Sequence, residues 1–323
     1  MFTITEVSED AISSNELQPM AKTIADFVAG KKPIEMLTLE KARLVDENPN
    51  ELLSPKPREL KSIEDRMIAG PDCDIAIRIY QPHSDKSELP GLVFFHGGGF
   101  VIGSIKSHDL LVQNLAVEAE CVVISVEYRL APEAKFPAPL EDAMAAYLWV
   151  KDNCQGLGID SDKIAVGGDS AGGNLATVIC LRCRDEKLSL PASQLLLYPI
   201  TDAFSETSSK KDYAAGFFLT SSAMDWFQGH YLDNPSQAKD PYVSPLRAKN
   251  LGNLPPTLVI TAGFDPLRDE GFAYANRLSE AGVDVTHSCY TSMIHGFMSF
   301  AGGIPHGEEG IKESARFLER TLS

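Results

Sequence analysis

From about Asp74 onward the chain alternates short runs rich in β-branched and aromatic residues with longer stretches whose apolar positions recur at helical spacing. No other feature restricts the fold as much. Strands separated by helices do not pair as hairpins; they line up in parallel, and each connection lays a helix on one face of the sheet. Asp74 to Tyr80, Gly91 to Phe95, Cys121 to Val126, Lys163 to Gly167, Gln194 to Leu197, Thr257 to Ala262 and Asp284 to Tyr290 read as strands. Ser107 to Glu120, Leu140 to Asn153 and Gly172 to Glu186 read as helices. The expected class is α/β, a central and mostly parallel sheet flanked by helices, and 323 residues with 44% apolar content suffice to bury its core.

Two regions interrupt the pattern. Residues 1 to about 45 are polar and helix-like without a strand, and residues 201–250 hold Phe204, Phe217, Phe218, Trp226, Phe227 and Tyr231 among turn residues. An aromatic-rich insert between two core strands suits a cover over the C-terminal edge of the sheet, where open α/β folds place their ligands. The division expected is an α/β core of residues 46–200 and 251–323, with 1–45 and 201–250 as the two parts of a helical cap.

Bulk properties exclude several functions. A formal net charge of −16 repels phosphate backbones and offers no basic patch, so nucleic acid is not an expected partner. The first twenty residues contain Glu6, Glu9, Asp10 and Glu16 and no positive charge, which does not match a secretion signal, and no apolar run approaches the roughly 18 residues of a membrane span. The six cysteines are scattered, several within apolar runs, as reduced buried thiols are, and the expected compartment is the cytoplasm. Cys180 and Cys183 form a C-x-x-C inside a helical pattern with no second pair, so no metal is expected.

Gly168-Asp169-Ser170-Ala171-Gly172 lies between a strand and a helix. A serine on that turn is exposed in a strained backbone, and its neighbours must be small because strand and helix nearly touch. The string alone is common, and a plain turn with Ser170 capping the helix would also produce it; its position makes it a nucleophile elbow. The other serine motif, S-x-x-K at Ser208 to Lys211, falls in the presumed cap without its companion motifs. His96-Gly97-Gly98-Gly99-Phe100 follows another strand, and successive glycines bare backbone N–H groups toward a pocket. Neither a G-x-x-x-x-G-K nor a G-x-G-x-x-G string completes a nucleotide site there. Gly98, Gly99 and Ala171 are assigned as oxyanion donors.

A serine nucleophile on this scaffold is followed in the chain by an acid and then a histidine. His287 falls inside a strand pattern, whereas His295 and His306 both precede a glycine in a loop, and spacing does not separate them. For the acid, Asp265 follows a strand and precedes Pro266, a pattern that also fits a helix N-cap; Asp202 and Asp269 compete with it.

HGGGF at 96–100, GDSAGGN at 168–174, Glu127-Tyr128-Arg129-Leu130-Ala131-Pro132-Glu133 with Phe136-Pro137-Ala138, and Asp265-Pro266-Leu267-Arg268-Asp269 together closely resemble the bacterial hormone-sensitive-lipase-like carboxylesterases, GDSAGG subgroup, of the α/β-hydrolase superfamily. The resemblance spans about residues 70–320; Glu127 departs from it, since the family more often has Asp there. It implies the α/β-hydrolase fold and selects His295, in Ile294-His295-Gly296-Phe297, as base and Asp265 as acid. It implies a serine carboxylesterase acting on short- to medium-chain monoesters without a cofactor, and a homodimer through the last strand and its helix. Phe100, Asp169, Asp202 and Phe217 are expected beside the substrate, Asp202 at the wall of the acyl pocket. Amide or carbamate hydrolysis would use the same machinery, and a non-catalytic small-ligand receptor would use the same scaffold. A neutral histidine must start the cycle, so activity is expected to fall on the acid side near the ordinary histidine value of about 6.5.

Overall fold

The computed structural model describes residues 2–7, 16–46 and 52–323. Glu9 and Asp10, cited above against a secretion signal, lie outside them. Nine strands form a single sheet: β1 (Phe2–Val7), β2 (Ser62–Ile68), β3 (Ile75–Gln81), β4 (Leu89–Phe95), β5 (Val122–Glu127), β6 (Ile159–Asp169), β7 (Gln194–Leu197), β8 (Thr257–Phe264) and β9 (Val285–Ile294). Their spatial order is β1-β9-β8-β7-β6-β4-β5-β3-β2, and only β3 runs against the others. The helices are α1 (Pro19–Ala29), α2 (Leu39–Asp46), α3 (Ile105–Glu118), α4 (Ala138–Leu157), α5 (Ala171–Asp185), α6 (Ser208–Asp212), α7 (Ser221–Tyr231), α8 (Arg268–Glu280) and α9 (Pro305–Thr321). No described helix is long and apolar enough to cross a membrane.

The central strands are apolar on both faces, and successive residues serve opposite layers. Val93, Phe95, Ile124, Val126, Val166, Leu196 and Val259 pack with α4, α5 and α8. Their chain neighbours Leu92, Phe94, Val123, Ala165, Leu195, Leu197, Leu258 and Ile260 pack with α1, α3 and α9. The expected α/β class is borne out, and the seven expected strands are present with slightly different ends.

Two strands escaped the sequence reading. β2 carries Glu64, Asp65 and Arg66 and is mostly exposed at the sheet's end, so it lacks the apolar alternation of a half-buried strand. Its register is marked by charge instead: Asp65 stands opposite Arg78 of β3 and accepts its Nε at 2.6 Å. β1 corrects the reading of residues 1–45 as strandless. It pairs in parallel with β9, Phe2 opposite Val285 through Val7 opposite Tyr290, and so occupies the outer edge of that strand.

Because β4, β6, β8 and β9 run in parallel, their C-terminal ends meet at one edge. Phe95 is followed there by His96 to Gly99, Asp169 by Ser170, Phe264 by Asp265 and Ile294 by His295. Four segments far apart in sequence thus deliver their chemistry to one place.

Candidate active site

Ser170 sits between β6 and α5 with φ 53° and ψ −113°, a conformation that side-chain-bearing residues adopt only when surroundings impose it, at a cost of about 1–3 kcal/mol. The surroundings are tight. Its N–H donates to the Leu197 carbonyl at 2.8 Å, and its carbonyl accepts from Asn174 and Ile200, each at 3.1 Å. A Cβ at Gly172 would lie 1.8 Å from the Phe95 carbonyl oxygen, and one at Gly168 would lie 2.4 Å from the same atom, so both flanks must be glycine. Asn174 adds a tie, its Nδ2 donating to the carbonyls of Ile200 and Val243 at 2.9 Å each. Although Ser170 is the residue before α5, its side chain does not cap that helix.

The hydroxyl meets a histidine instead. His295 Nε2 lies 3.0 Å from Ser170 Oγ, and His295 Nδ1 lies 2.7 Å from Asp265 Oδ2. An ionised carboxylate can only accept, so Nδ1 carries the ring proton and Nε2 is left to accept from the serine hydroxyl. Asp265 is fully buried, and its other oxygen accepts the Leu267 N–H at 2.9 Å. Tyr198 presents its ring edge-on to His295 at 5.0 Å. Asp265 is not the N-cap of α8, which begins at Arg268 behind Leu267; the carboxylate bonds the turn before the helix and keeps an oxygen for the imidazole.

Opposite this relay is the glycine loop. β4 and β6 are paired with Phe95 against Gly168, so Gly98 and Gly99 stand beside the elbow. Both have left-handed backbones, φ 111° and 61°. Among the described residues neither N–H has a backbone acceptor, and Ala171, as the first residue of α5, has no acceptor within its helix. The EYRLAPE stretch braces the loop from behind: Tyr128 donates its hydroxyl to the His96 carbonyl at 2.7 Å and stacks on the His96 ring at 4.3 Å, and Ala131 N–H bonds the Phe100 carbonyl at 2.8 Å. Burial holds His96 down to about 3, so its ring is neutral. Glu127, the departure noted above, accepts the Ile105 N–H at the start of α3 at 2.7 Å.

Three of the four residues expected beside the substrate have other partners. Phe100 is buried and stacked on Tyr231 of α7 at 3.9 Å. Asp169 is buried, its oxygens given to Gly97 N–H and to His108. Asp202 pairs with Arg247 Nε at 2.8 Å and accepts the Phe204 N–H. The fourth, Phe217, stacks on Phe264 beside Asp265 and meets Tyr213 edge-on. Sequence reasoning named Phe218 and Phe227 only as members of an aromatic-rich insert, yet these two reach the loops. The Phe227 ring lies 2.4 Å from where a Cβ on Gly99 would be, and Phe218 approaches within 3.6 Å of the same position on Gly296, next to His295.

The competing residues have other roles. His287 is buried against Thr261 Oγ1 at 2.9 Å, and burial holds it down to about 4. His306 is buried against Tyr290. Asp269 accepts from Ser209 N–H and Arg268. The S-x-x-K segment forms α6, where Lys210 reaches the buried Glu270 carboxylate at 2.6 Å. Cys180 and Cys183 lie on α5, their thiols pushed up by burial, Cys183 to about 12.

Residues 92–299 match the family described as alpha/beta hydrolase fold. An ethyl acetate hydrolase of Pseudomonas putida is 37% identical over 299 residues, covering 91% of this chain and 94% of that protein. The carboxylesterase NlhH of Mycobacterium tuberculosis is 36% identical over 323 residues, 98% of this chain and 99% of its own. The solved structure of a hyperthermophilic esterase from the archaeon Pyrobaculum calidifontis superposes with a TM-score of 0.89 at 40% identity, covering 94% of this chain and 98% of that one. Motifs, fold and relatives agree: the chain belongs to the α/β-hydrolase family, among its hormone-sensitive-lipase-like carboxylic ester hydrolases.

Proposed function

We propose that Ser170 is the nucleophile, His295 the general base and Asp265 the orienting acid of a serine carboxylesterase acting on short- to medium-chain monoesters. The observation that carries this reading is the continuous relay from Asp265 through His295 to the Ser170 hydroxyl, at 2.7 and 3.0 Å. As Oγ attacks the ester carbonyl, Nε2 takes its proton, and Asp265 stabilises the imidazolium that forms. The carbonyl oxygen becomes an anion facing the N–H groups of Gly98, Gly99 and Ala171, where loss of one such donor costs about 3–4 kcal/mol of transition-state stabilisation. His295 returns the proton to the departing alcohol, and water repeats the sequence on the acyl-enzyme. The partner is a small-molecule ester.

Phe227 against Gly99 and Phe218 against Gly296 narrow both flanks of the reacting centre, which suits compact acyl and alcohol groups. The name of the Pseudomonas putida relative, ethyl acetate hydrolase, favours the same size. We assign residues 16–45 and 201–250 to a cap over the core of 46–200 and 251–323, which Phe2–Val7 joins as β1. Cys121, Cys180 and Cys183, small buried thiols in the core, fit a cytoplasmic protein. A homodimer built at the last strand would meet β1 there rather than β9.

The test is an assay of acetyl, butyryl, octanoyl and palmitoyl aryl esters and one aryl amide with the wild type and Ser170→Ala. Activity concentrated on acetyl to octanoyl esters and abolished in the variant is expected. Equal rates in both proteins would remove Ser170 from the reaction, and faster turnover of the amide would move the assignment to amide hydrolysis.

A further inference from the structure

Asp169 and Gly97 are the residues next to the nucleophile and next to the first oxyanion glycine, and they are bonded to each other. Gly97 N–H donates to Asp169 Oδ1 at 2.8 Å, and the carboxylate lies so close that a Cβ on Gly97 would come within 2.4 Å of Oδ2. The carboxylate is also held by His108, whose Nε2 stands 3.2 Å from Oδ1, 3.3 Å from Oδ2 and 3.4 Å from the Gly97 nitrogen. Since the carboxylate only accepts, Nε2 bears a proton, and Nδ1 accepts from Ser107 Oγ at 2.9 Å. Ser107 is itself fixed in the capping box of α3, exchanging bonds with Ser104 at 3.0 and 3.1 Å. The chain of contacts therefore runs from the start of α3 through His108 and Asp169 to the loop of Gly98 and Gly99.

We propose that His108 and Asp169 form a positioning clamp that sets the distance between the nucleophile and the oxyanion donors in ester hydrolysis, without touching substrate. This rests on the assignment of Ser170, Gly98 and Gly99 above. Oxyanion stabilisation needs donors placed to within about 0.5 Å, and a loop of consecutive glycines has no side chains of its own to hold it there. One carboxylate bonded to the residue before Gly98, on the residue before Ser170, supplies that constraint. His108 is needed because a buried carboxylate with a single N–H partner would lack compensation for its lost hydration. A carbonyl at position 169 preserves the bond to Gly97, and an amide N–H at 108 preserves the bond to Asp169, so the clamp survives conservative replacement and fails without polar atoms.

The experiment compares wild type, His108→Leu, His108→Gln, Asp169→Ala and Asp169→Asn for kcat and KM on an aryl butyrate, for binding of an aryl boronic acid that mimics the tetrahedral intermediate, and for thermal unfolding. Expected is a fall in kcat of about ten- to a hundredfold in H108L and D169A, with KM within twofold and boronate affinity falling in parallel. H108Q and D169N recover most of the loss. A folded H108L with unchanged kcat overturns the clamp, and so does a kcat loss with unaltered boronate affinity. Should H108L or D169A not fold, H108Q and D169N decide alone: their boronate affinity and kcat must move together, and kcat changing by itself rejects the proposal. A wild type inactive on every ester would instead sink the functional reading on which the clamp depends.

Discussion

Among the described residues, two serine–histidine–aspartate constellations adjoin in sequence at Asp169 and Ser170. In one, Ser170 lies 3.0 Å from His295 Nε2 and Asp265 2.7 Å from Nδ1. In the other the ring is wired the opposite way, with Ser107 on His108 Nδ1 and Asp169 on Nε2. What separates them is backbone. Ser170 occupies a strained turn between glycines that cannot bear a Cβ, near the N–H groups of Gly98 and Gly99, which have no backbone acceptor among the described residues. Ser107 sits in the first turn of an ordinary helix, its hydroxyl used in the cap. In the function proposed above, residue type alone does not make Ser170 the nucleophile; its backbone setting, a base that can accept and oxyanion donors beside it do.

Exchanging matched substitutions between the two sites tests that contrast. Ser170→Ala is expected to lower kcat by about 10⁴-fold or more, while Ser107→Ala changes it less than about tenfold, measured on one aryl ester. If S107A proved as damaging as S170A, the contrast would collapse. The acids should differ next: Asp265→Asn forces the wrong imidazole tautomer and is expected to lower kcat by about 10³–10⁴-fold, whereas Asp169→Asn keeps an acceptor for Gly97 and stays within a few-fold. Asp202→Asn, at the Arg247 pair, should behave like D169N in the same assay.

The smallest effect concerns acid stability. Burial pushes the Asp169 carboxyl up, but the His108 ring and the Gly97 N–H together hold it below the ordinary value of 3.8, and the neutral His96 ring and Tyr198 are the other titratable groups facing it. A value lowered by folding contributes stability above about pH 4 that is lost as the pH falls through the folded-state value. His108→Gln weakens that support, so its acid-unfolding midpoint is expected to rise by a fraction of a pH unit relative to the wild type, read by circular dichroism. An unchanged midpoint would mean that the ring contributes nothing to holding the carboxylate ionised.

The sheet was legible wherever strands are buried on both faces, because continuous apolar runs such as Leu92 to Phe95 leave little else for them to be. β2 was not, since exposed charge removes the periodic signal and leaves only the pairing of Asp65 with Arg78. At the site, the elbow and the glycine loop were readable because their geometry constrains which residues can follow one another. Asp169 is expected beside the substrate, and in the structure both oxygens of its carboxylate are given to other groups. Its partners, Gly97 and His108, lie 72 and 61 residues away, and nothing local announces them. His295 could be told from His306 only by resemblance, since both precede a glycine; the distinguishing fact is that one ring meets Ser170 and the other Tyr290.

The ladder between Phe2–Val7 and Val285–Tyr290 shields the strand that ends in the loop of His295. Were proteolysis to trim those first residues, β9 would be left with a bare row of backbone donors and acceptors, the kind of template on which separate molecules zip together. Preparations nicked at that point would then change in light scattering before they change in turnover.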